Sequence, residues 1–261
     1  MWETFIVNPL TNLLLWIYQV VGHNFGLAIV IFTILIRLVT HPLMAQQIKG
    51  SQGMQEMQKS KKWQDIQKKY KDDKEKLAQE QMALYKELGI NPFGTCLPTL
   101  VQLPIIFGLY QAIIRALAAS PMQLLNLTRS MYSFFHIAEI IPLNSKFLWM
   151  NLGQPERLTL PFLPGVWIPL LAIVVAVTSY FQQKLITPPA ANPNDQSATM
   201  TKMMAIYMPL LMGYFAMTFA SGLAIYFIAG NLVGIAQYAM LGKLDWKNLL
   251  PGKKTGEVKK K

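Results

Sequence analysis

Five apolar runs dominate the chain, separated by polar segments of very unequal size. A membrane-spanning helix needs about 20 mostly apolar residues. Runs of that kind fall at 24–43, 95–117, 163–186, 203–220 and 222–241. The last two form one stretch, 203–241, without Asp, Glu, Lys or Arg. As a single helix it would measure about 58 Å, roughly twice the hydrocarbon core, so a hairpin turning near Ala220-Ser221-Gly222 is predicted. Residues 44–94 differ in character, being rich in Lys, Gln, Glu and Met, with no proline between Gln46 and Leu88. Leu77, Leu84, Tyr85 and Leu88 recur at helical spacing; Ile48, Met54, Met57, Trp63, Ile66 and Tyr70 do so less regularly. With Lys71-Asp72-Asp73 supplying a turn, this segment predicts a helical hairpin. Residues 1–23 predict an amphipathic helix lying at the outer membrane surface with aromatic anchors. The expected fold class is an all-α polytopic membrane protein. Residues 118–162 form an external loop, 187–202 a cytoplasmic loop and 242–261 a basic tail.

Composition and charge sharpen this picture. Hydrophobic residues make up 52% of the chain and charged ones 14%, which suits several membrane spans better than a soluble domain. Residues 44–94 hold ten lysines and the tail after Leu241 seven, whereas residues 1–23 hold none. The positive-inside rule then puts the N-terminus outside and the hairpin and C-terminus in the cytoplasm. The net charge of +11 is thereby explained as topology, without DNA or other nucleic acid as a partner. No basic n-region or cleavage site marks a signal peptide. Cys96 is the only cysteine, which excludes an intrachain disulfide and a cysteine-based metal cage. His23, His41 and His136 stand too far apart in sequence to suggest a ligand set.

The candidate chemistry begins with Arg37, the one ionised side chain in the first run. A charge inside a membrane helix costs several kcal/mol or more and normally faces a wet cavity or a partner. No Asp or Glu lies in any other apolar run, so a hydrated pocket with a standing positive charge is expected. Gln102, between Pro98 and Pro104, adds an amide on a second run where prolines free backbone carbonyls. Gln182 does so on the third, and Asn231 and Gln237 on the fifth, where Gly230 and Gly234 are spaced for close helix packing. No Ser/His combination within one plane of the membrane, buried carboxylate pair, phosphate loop or metal motif is present. The residues can bind and release, but not cut; no enzyme activity, cofactor or metal is expected. An anion-selective channel or a scaffold subunit with Arg37 paired to another chain are the other readings of such a pocket.

Three stretches narrow the choice: YKELGINPFGTCLPTLVQLPIIFGLY at 85–110, FLWMNLGQPE at 147–156, and KMMAIYMPLLMGYFAMTFASGLAIYFIAGNLVGIAQ at 202–237. Their order and spacing resemble the YidC/Oxa1/Alb3 family of membrane protein insertases over nearly the whole chain, in a bacterial form without a large external domain. The resemblance implies five helices around a hydrophilic groove open to the cytoplasm and closed to the outside. It matches Arg37 to the groove arginine that draws in short acidic external tails of nascent membrane proteins. It places Leu103 and Pro104 on the substrate-contacting face of the second span, and Gln182 and Phe227 at groove positions. The implied partners are nascent membrane proteins and membrane lipids. The Sec translocon, the ribosome, and the signal recognition particle or its receptor join them through the hairpin and basic tail. The implied location is the bacterial plasma membrane.

Overall fold

The computed structural model describes residues 1–70, 73–89, 97–117, 120–133, 140, 143–159, 167–186 and 196–242. A short π-helical lead, Glu3–Val7, opens into α1 (Asn8–Val20). Then come α2 (Phe25–Val39), α3 (His41–Lys59), α4 (Lys61–Lys69), α5 (Lys74–Glu87), α6 (Leu97–Ala116) and α7 (Pro121–Ser130). The last three are α8 (Leu170–Ile186), α9 (Gln196–Thr218) and α10 (Ser221–Met240). Two antiparallel ribbons interrupt the helices: β1 (Lys146–Phe147) pairs with β2 (Met150–Asn151), and β3 (Leu158–Thr159) with β4 (Trp167–Ile168).

The core lies where α1, α2, α6, α8 and α10 meet. Leu14, Leu15, Phe25, Phe32, Leu109 and Ile113 are fully buried there. The central helix is α10, fully buried from Ser221 to Phe227 and along one side beyond that, and packed on α2, α6, α8 and α9. The predicted hairpin turn near Ala220 is present as the break between α9 and α10.

The N-terminal segment is helical, but a description as a surface helix understates its packing. Its core face is Leu14, Leu15, Ile17 and Tyr18, while Trp16 remains 49% exposed. The buried Asn12 side chain donates to the Ser130 carbonyl at 2.9 Å and accepts from the Tyr132 N–H at 2.8 Å. The Tyr18 hydroxyl accepts from the Asn144 N–H. Arg115 on α6 reaches back to Asn8 and pairs with Glu3. A buried asparagine left unpaired would cost about 1–3 kcal/mol, so these bonds fix α1 against the loop beyond α7. The turn into α2 uses positive φ at Gly22 (71°) and His23 (62°); Asn24 then caps α2 by accepting from the Leu27 N–H.

The Lys-rich insert holds three helices. α3 follows α2 after Thr40 alone, Ser60 caps α4 through the Trp63 N–H, and Asp73 caps α5 through the Lys76 N–H. Met57, Trp63 and Leu84 form a small separate core, with Ile66 and Tyr85 against it. Lys62 pairs with Glu87 across the α4–α5 hairpin. Lys71 and Asp72 of the expected turn lie outside the described residues, as do Cys96, His136, residues 187–195 and the tail from 243.

By length and composition, one described helix, the 20-residue α10, can cross a bilayer. α2, α8 and the Ala205–Thr218 part of α9 are shorter apolar helices of 10–17 residues. At 1.5 Å per residue, 15 residues of α2 extend about 22 Å; the single residue Thr40 separates it from α3, which continues the path.

Candidate functional site

The site grows from one side of α10. Isoleucine 29 and Arg37 are eight residues apart on α2, and they meet Gly222 and Gly230, eight apart on α10. A Cβ on Gly222 would sit 3.1 Å from Ile29 Cδ1, and one on Gly230 3.0 Å from Arg37 Nη2. Equal spacing in the same sense means that α2 and α10 run parallel and in register. The same holds between α8 and α10. The Asn231 amide donates to Thr178 Oγ1 at 3.1 Å and Ser179 Oγ at 2.8 Å, and Gln182 Nε2 occupies the space above Gly234.

Arg37 is held from both ends. Its carbonyl accepts from Gln237 Nε2 at 2.9 Å, while its guanidinium lies on Gly230, two turns earlier on α10. The direction follows from helix geometry, which tilts side chains toward the helix N-terminus. Arg37 is half-buried, with Nε fully occluded and without a hydrogen-bond partner; Gln237 Oε1 is in the same condition. Among the described residues no carboxylate lies within ion-pair distance of Arg37. Tyr226 is its electrostatic neighbour. The result is a fixed cation bordered by amides and hydroxyls, able to attract an anion and to hydrogen-bond.

The structure thus brings together Arg37, Gln182 and Asn231 around α10. The other residues expected in the site stand differently. Phe227 is only 8% exposed and belongs to the bundle core, its ring 5.8 Å from that of Tyr226. Leu103 is 44% exposed and Pro104 half-buried, one turn into the accessible face of α6. Gln102 is on α6, with its side chain outside the described residues.

The segment 147–156 closes one end of this assembly. The Ser221 and Gly222 N–H groups, orphans at the start of α10, donate to the carbonyls of Gln154 and Leu152 at 2.8 and 3.0 Å. Ser221 Oγ adds bonds to the carbonyls of Asn151 and Gln154, both 2.7 Å. Glu156, 5% exposed, accepts from the Leu171 N–H at 2.6 Å in the first turn of α8 and from Trp149 Nε1 at 2.8 Å. One loop therefore bonds the N-termini of two of the three helices that carry the site, and a carboxylate there also suits the α8 dipole. Phe147 seals the edge, its ring where a Cβ on Gly26 would be.

Known proteins place these features. The family model for the 60Kd inner membrane protein matches residues 16–247. The chain belongs to this family, that of the YidC insertases. Among the insertases it resembles, the membrane protein insertase MisCA of Bacillus subtilis is 35% identical over 99% of this chain and 86% of that protein. The membrane protein insertase YidC 2 of Bacillus anthracis is 34% identical over 92% of the chain and 80% of the relative. A solved YidC insertase structure superposes with a TM-score of 0.54 at 23% identity, covering 92% of this chain and 46% of that one. At that identity the match concerns the fold.

Within the YidC-type fold, several residues beside the site were missed as participants. Gly230 and Gly234 read in sequence as a notch for a helix backbone, yet they receive the side chains of Arg37 and Gln182. Thr178 and Ser179 looked like ordinary span residues. Their signal was faint but present: hydroxyls three and four positions before Gln182 on a helix share its face. Glu156 gave none, since one acid in a polar loop looks solvated.

Proposed function

We propose that the protein inserts nascent membrane proteins into the bacterial plasma membrane and assists their folding, alone or with the Sec translocon. Five spans, with the N-terminus outside and the C-terminus in the cytoplasm, surround a hydrophilic groove. Arg37 supplies its positive charge, and Gln102, Gln182 and Asn231 its polar wall. A short acidic external tail is drawn to Arg37, while its apolar helix slides along Leu103 and Pro104 into lipid. The observation that carries the reading is Arg37: a guanidinium seated on Gly230 with no carboxylate beside it among the described residues. At about 4 Å and a moderate effective dielectric, such a charge attracts a carboxylate by about 4 kcal/mol, enough to bias entry without trapping the tail. The Lys-rich hairpin and basic tail receive the ribosome, the signal recognition particle or its receptor, and anionic lipid.

The parallel direction of α2, α8 and α10 supports this topology, because spans entering from one side must point the same way. The latch at 147–156 supports a groove closed at its outer end. Insertion of a single-span substrate with an acidic tail into proteoliposomes tests the reading. Arg37→Ala is expected to abolish insertion and Arg37→Lys to retain much of it. Equal insertion by wild type and Arg37→Ala would remove the charge from the mechanism.

A further inference from the structure

We infer that α10 sets the depth of the groove's positive charge, with Gly230 as the shelf on which the Arg37 guanidinium rests and Gln237 as the anchor of its backbone. The inference rests on the insertase reading and makes both residues positioning residues for Arg37. Three observations converge. The guanidinium has no room to spare, since a Cβ on Gly230 would lie 3.0, 3.6 and 3.7 Å from Nη2, Nε and Cζ. Gln237, 5% exposed, spends its amide hydrogens on the Arg37 carbonyl at 2.9 Å. Gly230 and Gln237 are seven residues apart, about 10 Å between their backbone levels on α10. The Gln237 side chain, tilted toward the helix N-terminus, covers part of that distance to the Arg37 carbonyl while the arginine reaches back to Gly230.

This geometry has a consequence for substrate choice. Arginine near a helix end ordinarily bends toward the nearest water. Arg37 lies two residues before the end of α2 at Val39, yet its head stays directed back along the helix toward Gly230, the direction that helix geometry favours and that the missing Cβ leaves open. A longer side chain at position 230 removes the shelf and sends the head toward the α3 end. The acid that best meets the charge must then sit at a different distance from the substrate helix. Gly230 therefore selects the tail length, or the position of the acidic residue within it, that the groove accepts. Gln237 holds α2 and α10 in register so that the shelf and the arginine stay aligned.

The test scans one acidic residue along the external tail of a single-span substrate and measures insertion into proteoliposomes at each position. Wild type is expected to show a defined optimum. Gly230→Leu, with Arg37 intact, is expected to move the optimum farther from the external end of the groove, and Gly230→Ala to move it in the same direction by less. Gln237→Met, similar in volume but lacking the amide, is expected to broaden it. Gly234→Ala disturbs Gln182 rather than Arg37 and is expected to leave the optimum in place. A Gly230→Leu scan that only falls uniformly, or matches wild type, overturns the shelf. A Gln237→Met scan as sharp as wild type removes the anchor. An Arg37→Ala protein that keeps the wild-type optimum instead removes the charge from the mechanism, and a wild type that inserts no substrate overturns the insertase reading itself.

Discussion

The Arg37 guanidinium lies where α10 presents glycine, and its carbonyl accepts from an α10 amide. The arginine was legible in sequence, since one ionised group in an apolar run is anomalous under any reading. Its seat was not, because a glycine pair four residues apart looks the same whether a backbone or a side chain fills it. Asn231 has a second use that the sequence did not show: buried, it also ties α8 to α10 through Thr178 and Ser179. Glu156 is the other residue whose weight only the fold reveals. Glu156→Ala would leave the buried Leu171 N–H without an acceptor, costing about 1–3 kcal/mol; half-exposed Trp149 can turn to water. A lowered thermal midpoint and red-shifted tryptophan emission in detergent would record it. Glu156→Gln, which keeps one carbonyl oxygen, should lose less. Equal midpoints for wild type and Glu156→Ala would mean that the latch does not hold α8.

At the scale of elements, helices were readable from apolar periodicity, and the break at Ala220 from simple length. What escaped was the use made of them. The N-terminal helix, expected at the outer surface for its aromatic anchors, packs its other face inward, where Tyr18 enters the core and Asn12 ties the helix to Ser130 and Tyr132. The insert divides into three helices because Ser60 caps α4 and so ends α3. Its small core depends on Trp63, 3% exposed, so Trp63→Ala should cost about 3–5 kcal/mol locally. Limited proteolysis should then cut the insert first and spare the bundle; simultaneous loss of both would show that they are one cooperative unit. Burial raises the Tyr85 phenol above its usual 10.0. A group whose folded pKa is raised stabilises below its unfolded value and loses that contribution as pH climbs through the raised one. The tyrosinate absorbance missing from Tyr85→Phe, relative to wild type, should therefore appear above pH 10; a midpoint at or below 10 would place Tyr85 in water.

For the whole molecule, three parallel helices share one polar core, and one loop caps two of them at the same end. Sequence charge asymmetry alone suggested a direction for the spans; the matched registers of Ile29 with Gly222 and Arg37 with Gly230 make α2 and α10 parallel, and labelling decides which end faces outside. Single cysteines in a Cys96→Ser background test this in cells. Val20→Cys should react with an impermeant maleimide added outside, and Leu88→Cys and Leu241→Cys only after permeabilisation. Labelling of Leu88→Cys from outside would reverse the topology.

The central claim is that a positive charge at Arg37 captures acidic tails, and charge reversal addresses it most directly. Insertion of two substrates differing only in an acidic or a lysine-bearing tail would be measured for wild type and Arg37→Glu, in proteoliposomes without a membrane potential. Wild type is expected to favour the acidic tail and Arg37→Glu to invert the preference. If both proteins insert both tails in the same ratio, the charge at Arg37 does not select the substrate.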